Sequence, residues 1–250
     1  MPTTCFDLLA CFEPAKSLRD LRRQLSGDEA LQAAAQSERK RLARMCREEK
    51  ALWKEGCRIV VGTDEVGRGP MAGPLVAAAV AFACPPFIPG LDDSKKLTLE
   101  QREAIVPWVE LQAIAYRVEW IPLQELNQGN LHELSLRAMA QAVRGLGVEA
   151  DHILVDGRFK LPLDVAQTVL VKGDSRSASI AAASVLAKVS RDRYMIEQDR
   201  RYPGYGFASH KGYNTPEHMA ALELLGPCPL HRTRFAPIQR FFSGQLTLDL

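Results

Sequence analysis

Asp64 and Glu65 are adjacent carboxylates at the end of an apolar run, Ile59-Val60-Val61-Gly62-Thr63, and the turn Gly67-Arg68-Gly69-Pro70 follows one residue later. Two acids where an apolar strand ends are costly unless something cationic holds them. A metal ion is the natural candidate. The glycines flanking Arg68 bare backbone N–H groups beside that site, where a phosphate or a hydroxyl can dock. Two further acids occupy comparable places: Asp156 follows the apolar run 152–155, and Asp174 follows 168–171.

In open α/β sheets, sites form where strands emerge at their carboxyl ends. If 59–64 and 152–155 are parallel neighbours, Asp64 and Asp156 face each other, and carboxylates that close raise each other's pKa. Divalent cations resolve the conflict. An all-oxygen donor set suits Mg²⁺ or Mn²⁺ rather than Zn²⁺, and two ions about 4 Å apart would clamp the attacking and leaving oxygens of a phosphodiester. Taken singly, Asp156-Gly157 reads better as an ordinary turn pair. The glycines Gly67, Gly69 and Gly73, with Asp92 about 20 residues on, also loosely mimic a dinucleotide-binding fingerprint. Pro70 and Pro74 interrupt that turn, and 75–82 can be strand as well as helix, so the metal-and-anion reading is preferred.

The elements that must position these acids follow from periodicity and punctuation. Residues 1–56 have the leucine spacing of helices, with a break at Ser26-Gly27-Asp28-Glu29. Strands are expected at 58–64, 75–82 and 113–121, the first two as an antiparallel hairpin, and two short strands at 152–155 and 168–171. Helices are expected at 98–106, 123–146 (as one helix or a pair), 177–199 and 215–225. Thr98 with Gln101 forms a capping-box pattern, and Pro107 is the expected stop of that helix. Hairpin strands followed by strands alternating with helices give a mixed α/β sheet.

The 250 residues, 46% hydrophobic and 25% charged, suit one large globular domain with an appendage. No apolar run reaches the roughly 18 residues of a membrane span. The first 15 residues carry Asp7 and Glu13 and no basic n-region, which argues against a secretory signal and for a cytoplasmic address. The six cysteines, Cys5, Cys11, Cys46, Cys57, Cys84 and Cys228, form no Cys-x-x-Cys pair, so free thiols are expected and a zinc site is not. Net charge is only +2, yet between Lys172 and Arg240 eleven bases face six acids. That excess suits a polyanion partner, or a solvated helical face.

Six ordered motifs carry a resemblance. They are Asp64-Glu65-Val66-Gly67-Arg68-Gly69, Asp93-Ser94-Lys95-Lys96-Leu97, Val155-Asp156-Gly157, Val171-Lys172-Gly173-Asp174, the run from Ala181 to Arg193, and His210-Lys211-Gly212-Tyr213. Over residues 58–238 the chain resembles bacterial ribonuclease HII; Val66 departs from the commoner alanine. The resemblance implies an RNase H-like mixed sheet flanked by helices, with an N-terminal helical extension (1–56), a catalytic core (57–200), a C-terminal helical substrate-binding segment (201–240) and a tail (241–250). It implies a metal-dependent endonuclease that cleaves the RNA strand of RNA–DNA hybrids and incises 5′ of single ribonucleotides in duplex DNA, leaving 5′-phosphate and 3′-hydroxyl ends. Such an enzyme serves ribonucleotide excision repair and primer removal. Asp64, Glu65, Asp156 and Asp174 would be the catalytic, metal-binding acids, holding Mn²⁺ or Mg²⁺ in a two-metal arrangement. Gly67, Arg68 and Gly69 would read the ribose 2′-OH, the group that distinguishes RNA from DNA at one nucleotide. Tyr213 would stack on the sugar at the RNA-to-DNA junction, and Lys95, Lys96 and Ser184 would contact phosphates. A monomer is expected.

Several residues keep two readings. Tyr213 alone is better explained as cover for a core edge; with His210-Lys211-Gly212 before it, the junction role is preferred. His231 and Arg232 suit either a phosphate contact or a cap on the last helix, whereas Asp192, between Arg191 and Arg193, suits ion pairing better than metal binding. The tail Gln245-Leu246-Thr247-Leu248-Asp249-Leu250 resembles peptides that dock in the bacterial sliding clamp, though chance leucines in a frayed tail give the same pattern. The N-terminal helices are expected to contact duplex nucleic acid or to pack on the core; they are too short for the larger platform domain of ribonuclease HIII. A hybrid-binding protein without catalysis is the rival to an enzyme, and the presence of all four acids disfavours it.

Overall fold

The structure is a computed structural model that describes residues 29–242 together with Pro14 and Gln24. Cys5, Cys11, the break at 26–28 and the tail peptide 245–250 lie outside the described residues. Five strands, β1 (Val60–Val66), β2 (Leu75–Phe82), β3 (Ala115–Ile121), β4 (His152–Asp156) and β5 (Gln167–Leu170), form one sheet in the order β3-β2-β1-β4-β5. β1 pairs antiparallel with β2 and parallel with β4; β2–β3 is antiparallel and β4–β5 parallel. This is the mixed sheet flanked by helices that the sequence pattern implies. Because β1 returns directly as β2, no helix opens after the glycines, and the dinucleotide-binding alternative is excluded.

Helices cover both faces. Along β1 the pleat alternates: Val61 turns to the side of α5 (Leu131–Arg144), while Val60 packs with Ile180 of the long helix α6 (Ala178–Arg201). α6 lies almost against the strand. A Cβ on Gly62 would fall well inside contact distance of the Ser179 backbone, and the small residues Ala181, Ala182, Ala183 and Ala187 permit the same approach along the sheet. α1 (Glu29–Met45) and α2 (Arg47–Lys54) are laid over this layer, burying Leu42, Met45 and Cys46. Glu49 of α2 is fully buried. Its Oε1 accepts from Ser177 Oγ (2.6 Å), Ser179 N (2.9 Å) and Ser179 Oγ (2.8 Å), so α2 caps the start of α6.

Two expectations need correction. The helix starting at Leu99, α3 (Leu99–Gln112), runs through Pro107 instead of stopping there. The ring removes one N–H from the ladder, but Ile105, Trp108 and Val109 on either side are buried in the core and hold the helix together; the Thr98–Gln101 capping box forms as expected. β1 also extends two residues further than expected, because Glu65 and Val66 still pair with Ala77 and Val76 of β2. The 123–146 stretch is a pair, α4 (Leu123–Leu126) and α5, with Asn130 capping the second.

After α6 the chain forms a compact lobe from α7 (Phe207–His210), α8 (Pro216–Leu225) and α9 (Ala236–Gln239), packed around Phe207, Leu222, Leu230 and Ile238. Met71, Ala72 and Met195 join that cluster, so the lobe is welded to the glycine loop after β1.

Candidate active site

The parallel ladder between β1 and β4 ends with Thr63 opposite Val155. The next residue on each strand is an acid, so the register puts Asp64 beside Asp156, on the face toward α6. Glu65, one residue on, turns to the α5 side. The 172–175 turn folds back over β4: Gly173 N donates to Asp156 Oδ1 at 2.6 Å and brings Asp174 in. All four acids expected from the sequence therefore gather at one end of the sheet.

Their electrostatics are those of crowded like charges. Burial, followed by the charges of Glu65 and Asp156, holds the Asp64 carboxyl well above the usual carboxylate range. The Ser184 hydroxyl and the Glu65 N–H, 2.7 Å from Oδ1, pull the other way. Burial also raises Glu65; Arg68, whose guanidinium is 3.5 Å away, opposes it and Asp156 reinforces it. Asp174 is pushed up to about 6 by burial first, then by Asp93 and Asp156, against the pull of Lys95 at 3.7 Å. Hard oxygen donors that repel one another this strongly fit a divalent cation of the Mg²⁺ or Mn²⁺ type. Among the described residues, no three carboxylate, imidazole or thiol groups already stand at ligand spacing.

The loop after β1 is rigid for a reason the sequence conceals. Gly67 has φ +97°, and a Cβ there would meet Arg191 Nε and Pro74 O at 2.7 Å. Arg191, fully buried, donates to Pro74 O, Ala72 O and Lys211 O, each at 3.0 Å. Arg232, also buried, donates to Gly73 O (2.9 and 2.7 Å), Pro74 O (3.1 Å) and Arg68 O (3.4 Å). Arg232 is thus neither a phosphate contact nor a helix cap, and part of the basic excess at 172–240 serves the inside of the protein. His231 is buried too. Asp192 pairs with Arg102 (3.2 Å) and Lys188 (2.7 Å), the ion-pair role expected of it.

Tyr213 is part-exposed beside the glycine loop. A Cβ on Gly69 would stand 3.6 Å from its Cε1, and the Arg191 and Lys188 cations each lie 5.8 Å from its ring centre. Lys95 leans over Asp174, while Lys96 pairs with Asp92 at 3.0 Å. Ser184 differs from a surface phosphate contact: it is 4% exposed, its Oγ lies 2.9 Å from Ser94 Oγ, and it stands behind Asp64. Three participants were not singled out from the sequence. Asp93 and Ser94 lie in the motif of Lys95 and Lys96, whose charges are the stronger signal in the sequence. Ser135, on α5, stands close enough to favour ionised Glu65 yet has no partner at hydrogen-bond distance; nothing in its sequence neighbourhood marks it.

Comparison with known proteins agrees with this layout. The family model of ribonuclease HII matches residues 61–238. The chain is 49% identical over 195 residues to the ribonuclease HII of Geobacillus kaustophilus, covering 78% of this chain and 75% of that one. It is likewise 49% identical to that of Syntrophotalea carbinolica, covering 77% and 92%. Among solved structures, the ribonuclease H2 of Pyrococcus horikoshii OT3 superposes with a TM-score of 0.65 at 25% identity, over 74% of this chain and 98% of that one. With its sheet order, its gathered acids and these relatives in agreement, the chain belongs to the ribonuclease HII family and is a type 2 ribonuclease H, an endonuclease that hydrolyses the RNA strand of RNA–DNA hybrids.

Proposed function

We propose that the enzyme recognises a single ribonucleotide within duplex DNA and incises on its 5′ side, using Asp64, Glu65, Asp156 and Asp174 to hold Mg²⁺ or Mn²⁺. The observation that carries this reading is the continuity between chemistry and recognition. The carboxylates on β1 and the loop Gly67-Arg68-Gly69 are one segment, pinned from behind by Arg191 and Arg232. A sugar placed against that loop has its 2′-hydroxyl beside backbone donors and acceptors and its phosphate beside the acids.

When bound, the cation would activate water and stabilise the leaving 3′ oxygen. The protein's own part is positional. Asp64 and Asp156 present oxygens on one face, Arg68 steadies Glu65, and Ser184 steadies Asp64. Tyr213 offers a ring face beside Gly69 on which the sugar of the next nucleotide can stack. Lys95 and Lys96 meet phosphates, giving salt-dependent affinity. In this division residues 57–200 supply the chemistry and 201–240 the grip on the junction. The tail 245–250 is proposed to dock on a sliding clamp; removing it should abolish clamp capture and leave cleavage intact.

The deciding experiment is incubation with duplex DNA containing one ribonucleotide, in Mg²⁺, in Mn²⁺ and in EDTA. A nick 5′ of the ribonucleotide that needs the metal is expected. Equal cleavage in EDTA, or no nick on this duplex while a long hybrid is cut, would overturn the reading.

A further inference from the structure

Three imidazoles lie beneath Tyr213. His210 and His218 are stacked, with ring centres 4.2 Å apart, and His218 Nε2 is 3.1 Å from His231 Nε2. His218 is fully buried and His231 nearly so. Two ring nitrogens that close must share one proton: one donates and the other accepts.

The surrounding partners decide which. His218 Nδ1 lies 2.8 Å from the carbonyl oxygen of Tyr213, which can only accept, so His218 carries its proton on Nδ1 and its Nε2 is a bare acceptor. His231 must then donate from Nε2 and accept at Nδ1, and the N–H of Cys228 is there at 2.9 Å to be accepted. The reverse arrangement would set the His218 Nδ1 lone pair against the Tyr213 oxygen. The first pairing leaves one contact unmade, the Cys228 carbonyl oxygen 3.1 Å from His231 Nδ1, whereas the reverse leaves two, the Tyr213 oxygen and the Cys228 N–H, so the first is preferred. Burial, foremost, keeps both rings neutral, holding His218 down at about 4 and His231 below its ordinary value.

This bridge has consequences at both ends. At one end, the Tyr213 carbonyl accepts from His218 and from Thr215 N (3.0 Å), while Tyr213 N donates to His210 O (2.9 Å). The peptide groups on both sides of the exposed ring are fixed. The approach is strained, with Lys211 at φ 53° and Gly212 at φ 83°, so the backbone needs such an anchor to stay in place. At the other end, His231 forms a β-bridge with Ala72, Arg232 N donates to Met71 O (2.7 Å) and Gly73 N donates to Leu230 O (2.9 Å). His231 is therefore sewn to the loop that carries Gly67 and Gly69.

We propose that His218, locked as the Nδ1–H tautomer by His231, is a positioning residue that sets the place of Tyr213 relative to the glycine loop, and so the selectivity for the RNA-to-DNA junction. The proposal deepens, and rests on, the reading of Tyr213 as a sugar-stacking residue.

The test compares His218→Phe, which keeps a ring but no donor, with His218→Asn, whose side-chain amide places an N–H near the former Nδ1–H. Each is measured alone and with Tyr213→Ala on the single-ribonucleotide duplex. His218→Phe should lower kcat/KM roughly three- to tenfold, the worth of one lost hydrogen bond, mainly through KM. His218→Asn should restore most of it, and His218→Phe should cost nothing further once Tyr213 is Ala. Full activity of a folded His218→Phe protein, or losses that multiply in the double variant, would overturn the proposal. If Tyr213→Ala alone changes nothing, the stacking reading fails, and NMR then decides the positioning. Imidazole ¹⁵N shifts should show His218 protonated on Nδ1 and His231 on Nε2, and the Tyr213 ring signals should move in His218→Phe but not in His218→Asn. The opposite tautomers, or unmoved ring signals, would overturn it.

Discussion

Arg191 and Arg232 both donate to one oxygen, the carbonyl of Pro74, from Nε at 3.0 Å and Nη2 at 3.1 Å. Neither has a carboxylate partner within salt-bridge distance among the described residues, so two buried cations are held by main-chain carbonyls and by the ring faces of Tyr213 and Phe235. Burial, and then Arg191, pull Arg232 down to about 9.

Arg232→Met should strip the Gly73 carbonyl of both its donors and leave the Pro74 carbonyl with Arg191 alone. An unsatisfied buried carbonyl costs about 1–3 kcal/mol, so urea unfolding should show a loss of that order. The surviving folded protein should have a raised KM. Arg232→Lys should not rescue it, because an ammonium cannot fork across two carbonyls.

Asp64→Asn should abolish the nick while retaining binding to the ribonucleotide-containing duplex. Without metal it should also melt at a higher temperature than the parent. The buried Asp64 charge is opposed by Glu65 and Asp156, and the amide removes that repulsion. Differential scanning calorimetry in EDTA checks the sign.

Asp174 gives a pH signature. Its folded value of about 6 lies above the ordinary carboxylate value, so the folded state holds the extra proton. Its stabilisation is complete below the unfolded value and is lost as pH rises through about 6. The stability of Asp174→Asn relative to the parent, in EDTA, should therefore climb between about pH 4 and pH 7. Excess Mg²⁺ should flatten that climb, since a cation favours the ionised parent. His218 pulls the parent's own curve the other way, because a folded value of about 4 costs stability as pH falls below the ordinary histidine range. The comparison with the variant cancels that contribution.

Glu49→Ala should cost about 2 kcal/mol, the upper range for a lost helix cap, because Ser177 and Ser179 lose a shared acceptor at the start of α6. Glu49→Gln should cost less, retaining one oxygen. Urea unfolding of the three proteins gives the ranking.

Much of this site is legible in the chain itself. The facing of Asp64 and Asp156 follows from two apolar runs that each end in an acid, given parallel pairing. Pro107 reads as a stop in the sequence because a proline's penalty is local, whereas the burial of Trp108 and Val109 that overrides it is tertiary. Counting bases at 172–240 does not distinguish the exposed Arg193 from Arg191 and Arg232, which face inward: charge is visible in a sequence, but its burial is not. Ser135 and Glu49 escape for the same reason. Each acts on a residue far away in the chain, and no periodicity encodes that distance.

The near contact of Gly62 with the Ser179 backbone has a kinetic meaning. Where strand and helix meet main chain to main chain, no side chain is left to rotate and admit water between them. β1 then has no small opening motion available, and its amides are released only when the whole domain unfolds. Hydrogen exchange at 60–64 and 180–187 should accordingly share one free energy, that of global unfolding. The acid-bearing end of the sheet is thus among the last parts of the molecule to become mobile on heating.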